Sequence, residues 1–236
     1  MTEPTPHPAK FSDVILDAIE GVLDDEVERQ DHPIRVLDPF AGTGKIHRLH
    51  DPGRIHTFGV ELEPEWATQH VQTSIGNALD LTAVFGPRFV FDVVATSCTY
   101  GNRMADHHVA TDDSKRMTYT HQMGRQLHQD NSGKMPWGDK YREFHVAAWT
   151  EATKFLVPEG LFILNVKNFY RTRTIKRKKV TELVDVCQWH LDTLVGMGYY
   201  AWGEPIIVPV RGMSFGANGS KRVDHEMVYV LRKEAH

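Results

Sequence analysis

The chain has 236 residues, a hydrophobic fraction of 41% and a formal net charge of −4 at pH 7. That length suits one α/β domain over 11–236 behind a loose tail of residues 1–10, and the slight negative balance gives no bulk-charge sign of a nucleic-acid partner. Two cysteines exclude a disulfide framework or a zinc pattern, and no apolar run is long enough to span a bilayer, so a reducing cytoplasm and no membrane are expected.

The polar, proline-containing residues 1–10 do not read as a signal peptide. Phe11, Val14, Ile15, Ala18, Ile19 and Val22 fall at helical spacing and predict an amphipathic helix ending before His32-Pro33. Residues 35–39 and 56–62 read as the first two strands, 74–77 as a short third and 89–96 as a buried fourth. Residues 101–140 form a polar insert rich in Gly, Asn, Asp and His, too long for a plain connection and expected to be a lid or target-contacting loop. A helix is expected over 141–156, ended by Pro158-Glu159-Gly160, then a strand over 161–166, a helix over 180–197, and strands over 199–210 and 227–231. Alternating strands and helices with a strand pair at the end predict an α/β fold: a doubly wound, mostly parallel sheet with one antiparallel edge strand.

Asp38-Pro39-Phe40-Ala41-Gly42-Thr43-Gly44 follows the first strand and precedes a segment able to open a helix, with Ile46 and Leu49 on one face. A strand, a glycine turn and a helix form a site for an anionic or adenosyl ligand, since glycine lets the backbone approach. A dinucleotide fingerprint needs glycine where His47 stands; a P-loop needs glycine at Pro39 and Ser or Thr at Ile46. Neither holds. The stretch resembles motif I of the amino-group family of S-adenosylmethionine-dependent methyltransferases, Asp-Pro-Phe-x-Gly-x-Gly. The resemblance implies a Rossmann-like class I methyltransferase domain and S-adenosylmethionine as cofactor, and it covers most of the chain from about residue 35.

Glu61 ends the second strand, where a carboxylate can accept from both ribose hydroxyls, with Leu62 beside it. Gly76-Asn77-Ala78 resembles the next motif, in which an Asp usually contacts the adenine amino group; Asn77 can accept through its carbonyl oxygen, and Asp80 competes for the role.

Ser97-Cys98-Thr99-Tyr100 follows the fourth strand and resembles the catalytic motif Asp/Asn/Ser-Pro-Pro-Tyr. An exocyclic amino group is a poor nucleophile because its lone pair is delocalised into the ring. In that motif a side-chain oxygen and a backbone carbonyl accept its hydrogens, and the tyrosine stacks on a base taken out of its helix. Both prolines are replaced here, by Cys98 and Thr99. Gly101-Asn102-Arg103 resembles the continuation in a subset of DNA methylases, many phage-encoded or actinobacterial. Carbon-5 cytosine methyltransferases place a nucleophilic cysteine near Cys98, but need a Glu where this chain has Leu164-Asn165-Val166. Cys98 therefore reads as a small residue in a proline slot.

The insert's His107, His108, His121 and His128 match no metal spacing, while Arg103, Lys115, Arg116, Arg125 and Trp137 suit phosphates and stacking. Residues 167–179 hold Lys167, Arg171, Arg173, Lys176 and Arg177 with no acid, and read as a basic phosphate-contacting loop. With Asn102 and Arg103 these form the expected substrate contacts. The reading is methylation of a cytosine or adenine amino group, with DNA favoured over RNA. A protein that binds cofactor and nucleic acid without efficient turnover is the alternative that the missing prolines leave open.

Overall fold

The computed structural model describes residues 4–7, 11–101, 118–210 and 223–235. Asn102, Arg103, His107, His108, Lys115 and Arg116 lie outside them. Helix α1 (Asp13–Gln30) begins where the Ser12 hydroxyl accepts from the Ile15 amide and ends at Asp31, whose φ of 56° turns the chain out of the helix. Its apolar spacing buries Ile15, Leu16, Ile19 and Leu23.

The chain continues through β1 (Ile34–Asp38), a 3₁₀ turn (Lys45–Leu49), β2 (Ile55–Glu61), α2 (Pro64–Ala67), β3 (Thr73–Ile75), α3 (Leu81–Phe85) and β4 (Phe91–Ser97). Next come α4 (Tyr119–Met123), a second 3₁₀ turn (Ser132–Lys134), α5 (Asp139–Phe155) and β5 (Leu156–Val166). A hairpin of β6 (Phe169–Ile175) and β7 (Lys178–Val184) precedes α6 (Val186–Gly196), β8 (Tyr199–Ala201), β9 (Ile206–Pro209) and β10 (His225–Lys233).

The main sheet runs β3-β2-β1-β4-β5-β10-β8, with β9 also on β10. Strands β1 to β5 are parallel; β10 is antiparallel to β5, β8 and β9. The mostly parallel sheet with a reversed strand towards one edge is thus as expected. Strand alternation splits the core. Ile34, Val36, Val93, Ala95, Leu161, Ile163, Val228 and Val230 pack with α1. Leu37, Val94, Phe162, Leu164, Tyr229 and Leu231 pack with α5 and α6 on the other face.

Several elements differ from the sequence reading. The helix expected after Gly44 is a five-residue 3₁₀ turn, in which Ile46 and Leu49 are both buried. Pro158-Glu159-Gly160 lies inside β5 as a bulge opposite Asp92, because Leu156 already pairs with Phe91. The basic loop is the β6–β7 ribbon, which takes 180–184 away from the predicted helix. The tail is not wholly loose: the Trp66 indole N–H donates to the Pro6 carbonyl at 3.3 Å and the Gln69 amide to the Thr5 carbonyl at 2.8 Å.

Candidate active site

A cavity of about 360 Å³ opens at the carboxyl ends of β1 to β4, the edge where open α/β sheets hold ligands. Pro39, Phe40, Ala41, Gly42 and Thr43 form its floor; Glu61, Leu62, Asn77 and Ala78 line one end, Ser97 to Tyr100 the other. Gly42 (φ 54°) and Gly44 (φ 78°) turn the chain under it, and a Cβ on Gly44 would lie 2.6 Å from the Cβ of His70. Asp38 and Gly44 themselves are not among the lining residues. Asp38 is fully buried behind the turn, where Oδ1 accepts from the Phe40 amide at 3.0 Å and the Thr96 hydroxyl at 2.7 Å, and burial raises its pKa to about 7.

Glu61 accepts the Gly42 amide on Oε2 and the Glu63 amide on Oε1, both at 2.9 Å. A carboxylate has about four lone-pair sites, so each oxygen keeps room for a hydroxyl donor. Burial lifts the Glu61 pKa to about 7 against the pull of those amides. The residues present fit an adenosyl group: a buried carboxylate with lone pairs to spare, a backbone floor, and the apolar Leu62, Ala78 and Phe144.

The insert walls this end. Glu63, 1% exposed, accepts on Oε1 from the His128 amide (2.8 Å) and the Asn131 side chain (2.9 Å), and Arg125 pairs with its Oε2 at 2.8 Å. Tyr119, Asp130, Asn131, Ser132 and Gly133 thereby reach the cavity. The described part of the insert is a wall of the site, with Arg125 committed to Glu63 and Glu65. Trp137 packs on Tyr141 and Trp189 at 5.1 and 5.7 Å. Among the described residues, no three His, Cys, Asp or Glu side chains group as metal ligands.

At the other end the buried Asn165 amide nitrogen lies within donating distance of Ser97 Oγ (3.1 Å), Tyr100 Oη (3.4 Å) and Glu226 Oε2 (2.9 Å). Tyr100 donates to Glu226 at 3.1 Å. Sequence reasoning missed Glu226; its one signal is an acid among the apolar positions of the last strand.

Cys98 is 4% exposed and burial pushes its thiol up to about 12, so it is protonated at neutral pH and is no thiolate nucleophile. The segment without prolines is held by tertiary bonds instead. The Trp149 indole donates to His190 Nδ1 at 3.1 Å, which leaves His190 Nε2–H to donate to Tyr141 at 2.9 Å, and the Tyr141 hydroxyl donates to the Thr99 carbonyl. Thr99 Oγ1 donates to Ser132 at 3.0 Å.

Of the expected substrate contacts, Lys167, Arg171, Arg173, Lys176 and Arg177 do not line the cavity. Arg171 and Arg173 share Glu182 at 2.8 and 3.1 Å, and Lys176 and Arg177 form the exposed ribbon tip.

No family model and no curated protein matches the chain. Solved structures do. An S-adenosylmethionine-dependent methyltransferase from Clostridium acetobutylicum is 10% identical with a TM-score of 0.51, over 94% of this chain and 93% of that one. A Listeria monocytogenes protein assigned to the class I S-adenosylmethionine-dependent methyltransferases is 12% identical with a TM-score of 0.51, over 99% and 62%. TrmN from Thermus thermophilus is 13% identical with a TM-score of 0.49, and the chain spans 48% of its length. At these identities the likeness is one of fold: the chain has the class I S-adenosylmethionine-dependent methyltransferase fold.

Proposed function

We propose that this chain is an S-adenosylmethionine-dependent methyltransferase acting on the exocyclic amino group of a cytosine or adenine, in DNA rather than RNA. The observation that carries the reading is the single cavity that joins the Gly42 turn, Glu61 and Ser97 to Tyr100. Residues 39–43 and Glu61 would hold the cofactor, which supplies an electrophilic methyl group on a sulfonium. Ser97 Oγ already accepts from Asn165 and keeps a second lone pair for an amino hydrogen. The Cys98 carbonyl takes the other hydrogen, and Tyr100, with its hydroxyl fixed by Glu226, offers its ring to the base. Glu226 is the cavity carboxylate beside Ser97 and Tyr100, and receives the proton the amine loses. DNA is favoured by the ribbon. It holds six basic side chains and one acid in a chain of net charge −4, and it leaves the carboxyl end of β5, the same sheet edge as Ser97.

The test is expression in a host without methylases, followed by mass spectrometry of nucleosides from its DNA and RNA. The expected product is N4-methylcytosine or N6-methyladenine in DNA, lost in Ser97→Ala by roughly a hundredfold or more in rate. Methylation of RNA alone moves the substrate; cofactor binding with no product supports the non-catalytic alternative.

A further inference from the structure

We propose that Asp130, brought into the cavity by the insert, recognises the amino group of the cofactor's adenine ring, with Asn77 as the neighbouring donor. This rests on the cofactor reading above. The cavity's lining residues are ranked across the sheet. Asn77 follows β3, Glu61 ends β2, residues 39–43 follow β1 and Ser97 ends β4, in the order in which those strands lie. With strands about 4.8 Å apart, Glu61 sits roughly 10 Å from the reacting end. A ribose on Glu61 with its sulfonium towards Ser97 therefore directs the adenine to the β3 side.

The polar groups there are Asn77 and Asp130. Asn77 Oδ1 already accepts the Leu79 amide at 3.0 Å, which commits one of its two lone pairs and leaves it a neutral, half-used acceptor beside the carboxylate of Asp130. Its Nδ2 donates to Asp130 Oδ2 at 3.2 Å. Asp80, the other acid of the segment, is exposed and caps α3 by accepting the Ala83 amide at 3.1 Å. Among the described residues, the contacts of the Asp130 carboxylate, to Asn77 and to His128 Nδ1 at 3.9 Å, use Oδ2. Oδ1 stays an acceptor, and the second Nδ2 hydrogen stays a donor. An acceptor beside a donor complements an amino group beside a ring nitrogen, the pattern adenine presents. Asp130 is also held in place: its amide donates to His128 Nδ1 at 3.2 Å, and the His128 amide two residues before it and the Asn131 side chain just after it are anchored on Glu63.

The experiment is calorimetric binding of S-adenosylhomocysteine and of its 6-deamino analogue, with purine in place of adenine, to the wild type, Asp130→Ala and Asp130→Asn. Asp130→Ala is expected to weaken S-adenosylhomocysteine by about tenfold or more, a hydrogen bond to a charged acceptor, and to leave the deamino analogue unchanged. Asp130→Asn, which keeps one carbonyl acceptor, is expected to fall between. Equal losses for both ligands, or no loss for either, overturn the assignment and make Asp130 part of the wall only. Unchanged melting temperatures of the ligand-free variants separate such losses from misfolding. If the wild type binds neither ligand, the cofactor reading itself fails.

Discussion

Glu61 holds two backbone amides before any ligand arrives, yet burial keeps its pKa near 7. Ribose hydroxyls are best accepted by the ionised form. Affinity for S-adenosylhomocysteine should therefore rise as pH goes from 6 to 8, and binding near pH 7 should release a proton, measurable by calorimetry in buffers of different ionisation enthalpy. Affinity flat across that range would separate Glu61 from the diol. Tyr141 makes a second residue-scale case. Tyr141→Phe leaves the Thr99 carbonyl without its donor and His190 Nε2 with only the Cys98 sulfur at 3.4 Å, at a cost of about 1 to 3 kcal/mol. Hydrogen exchange at the Ser97 and Tyr100 amides should accelerate, and Cys98→Pro with Thr99→Pro, which leaves those two amides in place, should restore the slower exchange. No change in exchange would mean that Tyr141 does not fix the segment. That Gly42, Glu61 and Ser97 to Tyr100 sit together at one sheet edge was legible because each is a local signal at a strand end. Asp130, Glu226 and Tyr141 were not, because their roles come from contacts 53, 126 and 42 residues away in sequence.

At the scale of elements, the β6–β7 ribbon shows why charge alone misled. A basic run suggests a solvated loop, whereas the alternation of Arg171, Arg173 and Ile175 with Thr172 and Thr174 is that of a strand. The usual hairpin signal was missing too: the two-residue turn is Lys176-Arg177, with φ of 47° and 65°, where Asn-Gly would be relaxed. Two charged residues held in the left-handed region cost roughly 1 kcal/mol or more each. Lys176→Asn with Arg177→Gly should therefore raise stability by about 1 kcal/mol in denaturant melts while weakening DNA binding and flattening its salt dependence by about one to two in slope. If DNA affinity and slope stay unchanged, the tip does not touch phosphate. The bulk of the sheet was read correctly because β1, β2, β4 and β5 are apolar runs whose pattern needs no partner to be recognised.

For the whole molecule, buried titratable groups set the pH range. Burial lowers His47 to about 3, His145 to about 4 and His190 well below its usual value. These groups stabilise fully above the unfolded pKa of about 6.5, and the contribution is lost as pH falls towards the folded values. Glu26, held at about 2 chiefly by Arg29 and Arg232 against its burial, acts in the same direction lower down. Asp38 and Glu61 act oppositely: raised to about 7, they oppose folding as pH rises through 7. Ligand-free stability should peak near pH 6.5, read from melting temperatures between pH 4 and 9; a monotonic rise to pH 8 would show that the two carboxyls ionise freely in the fold. No described helix is long and apolar enough to cross a membrane.

The cavity is closed by segments that meet only in the folded chain. His7 packs on Trp66 at 4.2 Å and on Tyr119 at 5.3 Å, so the first residues and the insert touch across the cofactor end. The consequence is kinetic. A ligand lying beneath that contact is expected to have its release slowed by it, while its capture depends on the floor. Trp66→Ala should shorten the lifetime of bound S-adenosylhomocysteine in stopped-flow displacement far more than it slows association. Turnover would then be paced by exchange of spent for fresh cofactor, and a substrate holding several targets would wait on that exchange between one methyl group and the next.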